Sequence, residues 1–285
     1  MLKSRVEDTN FYCKNSILIN EKIYDLSKPK VMGIINCTQD SFFEGSRFTN
    51  LTAVIQEVEK QILAGVSIID VGGNSTRPGA KKSSTEEEIQ RTIPAITEIR
   101  KEFPEIILSI DTFRGEVAKA AVEAGANIIN DISGFSLDAK MLEILKKYPV
   151  PYILTHIKGT PETMSNFTDY ENIFKEMCLY FSEKINILKE IGINDIILDP
   201  GFGFAKTLEQ NYEILNKLED FSFLNYPLIV GFSRKSMIYK KLNCNAVNAL
   251  NGTTVLNTIA LMKGAKIIRV HDVKEAVEIV KLLNI

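Results

Sequence analysis

The segment KIIRVHD, residues 266–272, sets Arg269 and His271 among apolar Ile267, Ile268 and Val270. Side chains alternate across a strand, so Arg269 and His271 point the same way. Burying an arginine with no partner is costly, so something negative must stand in front of this pair. Polar groups end the other apolar runs as well. Asn36 follows VMGII, Asp111 lies in SIDT, Asn130 and Asp131 in INDI, His156 in ILTH and Asp199 in ILDPG. Ser233, Arg234 and Lys235 follow LIVGF, and the run SIIDV leads into GGNSTRPGA (72–80). The chain has two histidines, and both fall at such ends.

These groups fall into two sets. Asp111, Asn130 and Asp199 offer two carboxylates and an amide. They suit a heterocycle with several N–H donors and a carbonyl, because each buried polar edge must be matched. Arg77, Lys235, Arg269 and His271, with backbone N–H groups around Gly72 and Gly73, suit an anion with several oxygens. The implied ligand is a polar, base-like ring with a phosphate-like tail, and Arg269 and His271 face the tail. Plainer readings stand beside these. Asp111 or Asp199 alone would serve to cap the next helix, Asn130 to close a turn, and Lys235 to sit solvated in a loop. Gly201 and Gly203 would mark a bend, and His156 reads as support for the site rather than a ligand contact.

The elements that must position these groups alternate along the chain. Eight short runs rich in isoleucine and valine read as strands buried on both faces: 31–36, 67–72, 106–111, 127–132, 151–156, 195–200, 227–232 and 266–271. Helical patterns separate them. TAVIQEVEKQILAG ends at a glycine C-cap, and STEEEIQRTIPAITEIRKEF opens with a capping residue and a first turn rich in acids. Eight strands alternating with eight helices predict a closed (β/α)8 TIM barrel, with an open doubly wound sheet as the alternative. Residues 16–26, SILINEKIYDL, read as an N-terminal β-hairpin that caps the barrel floor. The chain reads as a single domain over 1–285, the barrel proper spanning about 30–285.

Composition excludes other classes. An apolar fraction of 45% over 285 residues supports a large core, and 25% charge is ordinary. A net charge of −2 without a basic run argues against nucleic acid as partner. No run approaches a membrane span, and the N-terminus carries no signal-peptide pattern. The four scattered cysteines lack CxxC spacing, which fits reduced thiols in a cytoplasmic protein and offers no zinc site. The absence of HExxH, Walker, GxSxG and GxGxxG patterns argues against hydrolase, nucleotidase and dehydrogenase chemistry.

The motifs MGIINCTQDSF, DVGGNSTRPGA, SIDT, INDISG, ILDPGFGF, GFSRKSMI and RVHDV occur in the order and spacing of the bacterial dihydropteroate synthases, which the chain resembles from about residue 17 to 280. The resemblance implies a TIM barrel of the folate pathway. It implies joining of 6-hydroxymethyl-7,8-dihydropterin diphosphate to 4-aminobenzoate, with release of diphosphate. Asp111, Asn130, Asp199, Lys235 and Arg269 then surround the pterin. Asn36, Arg269 and His271 hold the diphosphate, with Mg²⁺ beside Asn36. Thr76, Arg77, Pro78, Phe204 and Ser233 enclose 4-aminobenzoate. Asp40, Arg77 and Lys235 are the residues implied in catalysis, Asp40 by stabilising a pterin cation. The resemblance also implies a homodimer, for which TTVLNTIALM offers an apolar helix.

The chain departs from the family pattern at Cys37 and Gln39, where valine and proline are usual, at Ile157 and Lys158 after strand five, and at Phe232 before SRK. A corrinoid-dependent methyltransferase would share the pterin pocket but has no need of SRK with RVHD as a diphosphate site. A binding-only relative has no need of Asn36, Arg77, Lys235 and His271 together.

Overall fold

The structure is a computed structural model and describes residues 14–37, 47–74 and 83–283. Strands β1 (Ser16–Ile19) and β2 (Lys22–Asp25) pair antiparallel as the expected hairpin. The barrel then runs β3 (Lys30–Asn36), α1 (Arg47–Ala64), β4 (Ile68–Gly72), α2 (Thr85–Glu102), β5 (Ile107–Asp111) and α3 (Gly115–Glu123). It continues β6 (Ile128–Asp131), α4 (Lys140–Lys147), β7 (Tyr152–Thr155), α5 (Ile173–Glu190), β8 (Ile196–Asp199) and α6 (Leu208–Asn216). The last elements are β9 (Ile229–Val230), α7 (Ser236–Lys241), α8 (Leu250–Met262), β10 (Ile267–Val270) and α9 (Val273–Leu283). The parallel strands lie in the order β8-β7-β6-β5-β4-β3-β10-β9. A bridge between Leu198 and Leu228 closes the ring, with Leu198 N donating to Pro227 O at 2.9 Å. The barrel expectation therefore holds, and the open sheet does not.

Two details differ from expectation. The run PLIVGF yields a strand of two residues, because Pro227 has no N–H to give the ladder and the chain turns toward the mouth after Val230. A short extra helix, α7, begins directly after the SRK turn. The cap of α2 follows its sequence. Ser84 accepts from Glu87 N, while the Glu87 carboxylate accepts from Ser84 N at 2.8 Å.

The interior changes character along its length. At the bottom, Met32, Ile68, Ile128, Ile153, Ile197, Ile229 and Ile267 form one buried cluster with Ile17, Ile19 and Leu26 of the hairpin segment. The hairpin thus plugs the floor. Two residues up most of the strands the same inward face turns polar, although on β3 Met32 leads to Ile34. Ile68 leads to Asp70, Ile107 to Ser109 and Asp111, Ile128 to Asn130, Ile197 to Asp199, and Ile267 to Arg269 and His271. The alternate residues, among them Val71, Ile110, Leu154, Leu198 and Val270, face the helices in the larger outer core.

Leu26 is fully buried in the plug. We expect Leu26→Ala to cost about 2–5 kcal/mol in urea unfolding, the usual range for such a cavity, while turnover of the folded protein is unchanged. A loss of activity in the folded variant would mean that the hairpin does more than seal the floor.

Candidate active site

The strand ends meet at one mouth, as the alternation requires. Its deepest feature is an ion-pair network. Arg269 donates from Nε to Asp70 Oδ2 at 2.6 Å and from Nη2 to Asp111 Oδ2 at 2.5 Å. Asn130 donates from Nδ2 to the same Asp70 oxygen at 3.0 Å. The negative charge facing Arg269 is therefore supplied by the chain itself. The pairing leaves the expected contact with a bound anion as a second role for this arginine. Desolvation opposes the guanidinium charge, but Asp70 and Asp111 outweigh it and hold its pKa above the usual arginine range. Burial raises the Asp111 carboxyl, with Arg269 holding it back.

Asp70 is the functional residue that sequence reading missed. It is wholly buried, inside a run that reads as an ordinary core strand. Its position two residues after inward Ile68 is the signal that could have found it.

A second cluster lies across the mouth. Asp199 is half-buried, accepts from Gly201 N at 2.7 Å, and has its pKa raised by desolvation against the pull of Lys235. Lys235 donates to Phe202 O at 2.7 Å and lies 4.9 Å from the Phe204 ring centroid. Burial lowers the Lys235 ammonium to about 8, although Asp199 favours its charge. The DPGFGF turn needs its first glycine. Gly201 has φ +65°, and a Cβ there would lie 2.2 Å from His156 O. Beneath this turn Lys206, a second residue not anticipated, donates to Gly201 O and Phe204 O, both at 3.0 Å, and lies 3.1 Å from His156 Nδ1. His156 is buried, and desolvation with Lys206 beside it keeps its ring neutral. It supports the mouth, as the sequence suggests.

The outer rim carries the remaining groups. Asn36 and His271 are exposed at the ends of β3 and β10. Ser233 is buried, and its hydroxyl lies 3.0 Å from His271 Nδ1 and accepts from His271 N at 3.2 Å. That hydroxyl orients the histidine. Arg234 turns away from the mouth and grips Asp272 through Nε at 2.9 Å and Nη2 at 2.8 Å, which stitches the SRK and RVHD turns together. Phe204 is half-buried against Ile157, Met164 and Ala205. Asp131 faces outward, accepting from Ser133 N, Phe135 N and Tyr152 OH, and so only braces its turn. Asp40, Thr76, Arg77 and Pro78 lie outside the described residues.

The departures from the family pattern have structural homes. Cys37 is fully buried in the outer core, and burial pushes its thiol up to about 12. Phe232 is fully buried beside Phe202, ring centroids 4.5 Å apart. Ile157 packs under Phe204, while Lys158 reaches Glu176 at 2.8 Å. Gln39 lies outside the described residues. Among the described residues no group of three or more His, Cys, Asp and Glu is placed to hold a metal ion. No helix among them is long and apolar enough to cross a membrane.

A closed barrel with acidic, amide and lysine groups at its C-terminal mouth is the architecture of a small-molecule enzyme. The chain belongs to the pterin binding enzyme family, whose profile matches residues 32–271. It is 45% identical to the dihydropteroate synthase of Escherichia coli (strain K12) over 91% of this chain and 92% of that one. Its fold superposes on the Yersinia pestis dihydropteroate synthase solved with a sulfonamide drug complex, with TM-score 0.88, 38% identity, and coverage of 94% of this chain and 98% of that one. The Xanthomonas albilineans dihydropteroate synthase with 4-aminobenzoic acid matches with TM-score 0.86 at 32% identity, covering 94% and 97%.

Two measurements test the electrostatics. Arg269→Met strands two carboxylates and should cost about 3 kcal/mol at neutral pH, the low end for breaking a buried pair because part of the guanidinium meets solvent. The Asp111 carboxyl, already raised by burial, then takes up a proton in the folded state before it does so in the unfolded one. Without Arg269 that carboxyl rises above its wild-type value of about 7, so the deficit should shrink as pH falls from the alkaline side toward about 7 and change little below it. A pH-independent deficit would remove the charge network as its cause. Lys235 loses its proton near pH 8, so pterin affinity measured by calorimetry should decline above that pH. In Lys235→Met that alkaline limb should be absent.

Proposed function

We propose that this chain carries out the dihydropteroate synthase reaction, joining 6-hydroxymethyl-7,8-dihydropterin diphosphate to 4-aminobenzoate to give 7,8-dihydropteroate and diphosphate. The observation that carries the reading is the mouth itself. Asp111, Asn130 and Asp199 offer acceptors and Lys235 a donor at one end of the barrel, with His271 and Asn36 on the rim. That pattern complements a ring with an N–H edge and a carbonyl, followed by an anionic tail.

In this reading Asp199 and Asn130 accept from the pyrimidine N–H groups and Lys235 donates to the ring carbonyl. Arg269 flanks the ring and, with Asn36 and His271, holds the diphosphate, while Asp70 and Asp111 keep it charged and in place. The methylene C–O bond breaks and its electron pair leaves with the diphosphate. Dihydropterin ring electrons, Asp40 and the carboxylates of the mouth stabilise the cation that remains. The aryl amine then attacks the methylene carbon and loses a proton. Arylamines are weak bases, so no dedicated general base is needed. His271, oriented by Ser233, meets the departing diphosphate. Phe204 packs on the aryl ring, and the family resemblance assigns Thr76, Arg77, Pro78 and Ser233 to the same substrate. Asn36, exposed at the end of β3, would offer Mg²⁺ one amide oxygen, with the substrate's phosphate oxygens and water as the other ligands. When bound, the ion supplies neutralising charge to the leaving group.

The enzyme is read as a cytoplasmic homodimer. Free Cys37, Cys178 and Cys244 suit a reducing compartment. Val255 and Met262 on α8, at 47% and 74% exposure, offer an apolar surface to a second copy.

The deciding experiment is diphosphate release by purified protein with Mg²⁺ and the dihydropterin diphosphate, with and without 4-aminobenzoate. We expect release coupled to dihydropteroate formation. Tight pterin binding without release would favour a binding-only or corrinoid-dependent relative. Asp199→Ala should abolish pterin-substrate binding. His271→Ala should weaken binding of the diphosphate ester more than binding of the bare pterin alcohol, and equal losses would misplace the anion site.

A further inference from the structure

Asp70 touches two groups of the proposed pterin pocket while standing behind both. Its Oδ2 accepts from Arg269 Nε at 2.6 Å and from Asn130 Nδ2 at 3.0 Å, and it is wholly buried. The carboxylate oxygen that takes the Arg269 N–H is an acceptor, and a second group at the same oxygen must also donate to it. The Asn130 amide must therefore turn its nitrogen toward Asp70. That fixes the amide's sense and leaves its carbonyl oxygen as the group it presents elsewhere. Asn130 is itself 4% exposed, so solvent has little access with which to compete for this choice.

We propose that Asp70 is a positioning residue that sets the hydrogen-bond polarity of the ring pocket, making Asn130 an acceptor and so selecting a ring with a 2-amino group over one with a 2-oxo group. The inference rests on the pterin reading of the site. Asp70 also explains how Asp111 can serve a ligand. Asp111 is half-buried at the end of β5 and, among the described residues, accepts from Arg269 Nη2, whereas Asp70 accepts from Nε deeper in the barrel. When Asp111 turns to a ring N–H, Arg269 keeps a counter-charge.

The test compares 6-hydroxymethylpterin with its 2,4-dioxo counterpart, each titrated calorimetrically into wild type and Asp70→Asn. Wild type should prefer the 2-amino ring by about 100-fold, since the dioxo ring sets acceptor against acceptor in a buried site. In Asp70→Asn the neighbour can donate as well as accept, the Asn130 amide can reverse, and the preference should fall by about tenfold or more. If Asp70→Asn weakens both rings equally and leaves the ratio unchanged, Asp70 is structural only and the proposal is overturned. Should that variant not fold, Asn130→Ala supplies the same readout without touching the ion pair, and an unchanged ratio there also overturns it. Wild type that binds the pterin without discrimination overturns this inference alone. Wild type that binds neither ring overturns it together with the function it rests on.

Discussion

The structure of the mouth depends on one ion pair, Arg269 with Asp70, placed where the barrel interior changes from apolar to polar. Neither charge could be left alone at that depth. The pair is joined by Asp111 and Asn130, so one arginine organises groups from β4, β5 and β6 as well as its own strand. A barrel makes this possible, because inward side chains from different strands meet in layers. The same pairing separates two jobs that a sequence reading merges. Arg269 is an internal counter-ion first and a ligand contact second, while His271, two residues on, reaches the rim.

Below that layer the barrel is an ordinary apolar core closed by a hairpin. Above it, the turns are shaped by short-range constraints. Gly201 provides a left-handed backbone where any side chain would meet the His156 carbonyl. Lys206 binds two carbonyls of the same turn and lies beside His156, which ties this side of the mouth together. Arg234 ties the turn after β9 to the turn after β10. Lys235 and His271 are thereby held as one rim although 36 residues of chain separate them. Preorganisation of this kind matters for a reaction whose main demand is to stabilise separating charges.

The residues that depart from the family pattern sit mostly behind the site. Cys37 and Phe232 are core side chains, and Lys158 is engaged with Glu176. Changes of this sort alter packing volume or the outer surface and leave the polar edge of the ring pocket intact. Ile157 is the exception, since it packs beneath Phe204 and so shapes the slot assigned to the aryl amine.

The sequence by itself determined the architecture and the cast. Period-two alternation in eight isoleucine-rich runs dictated which residues face inward, and helical patterns between them dictated a parallel barrel. Local rules of that kind are legible because they act over a few residues. From them followed the placing of Asp111, Asn130, Asp199, Lys235, Arg269 and His271 at one end. What only the tertiary structure decided is who partners whom. Asp70 and Arg269 are 199 residues apart, and nothing local says that they meet. Only the fold sets the Ser233 hydroxyl against His271, and only the fold brings Lys206 to the carbonyls of Gly201 and Phe204. Strand register and barrel closure select these pairs, and both are properties of the whole ring rather than of any one strand.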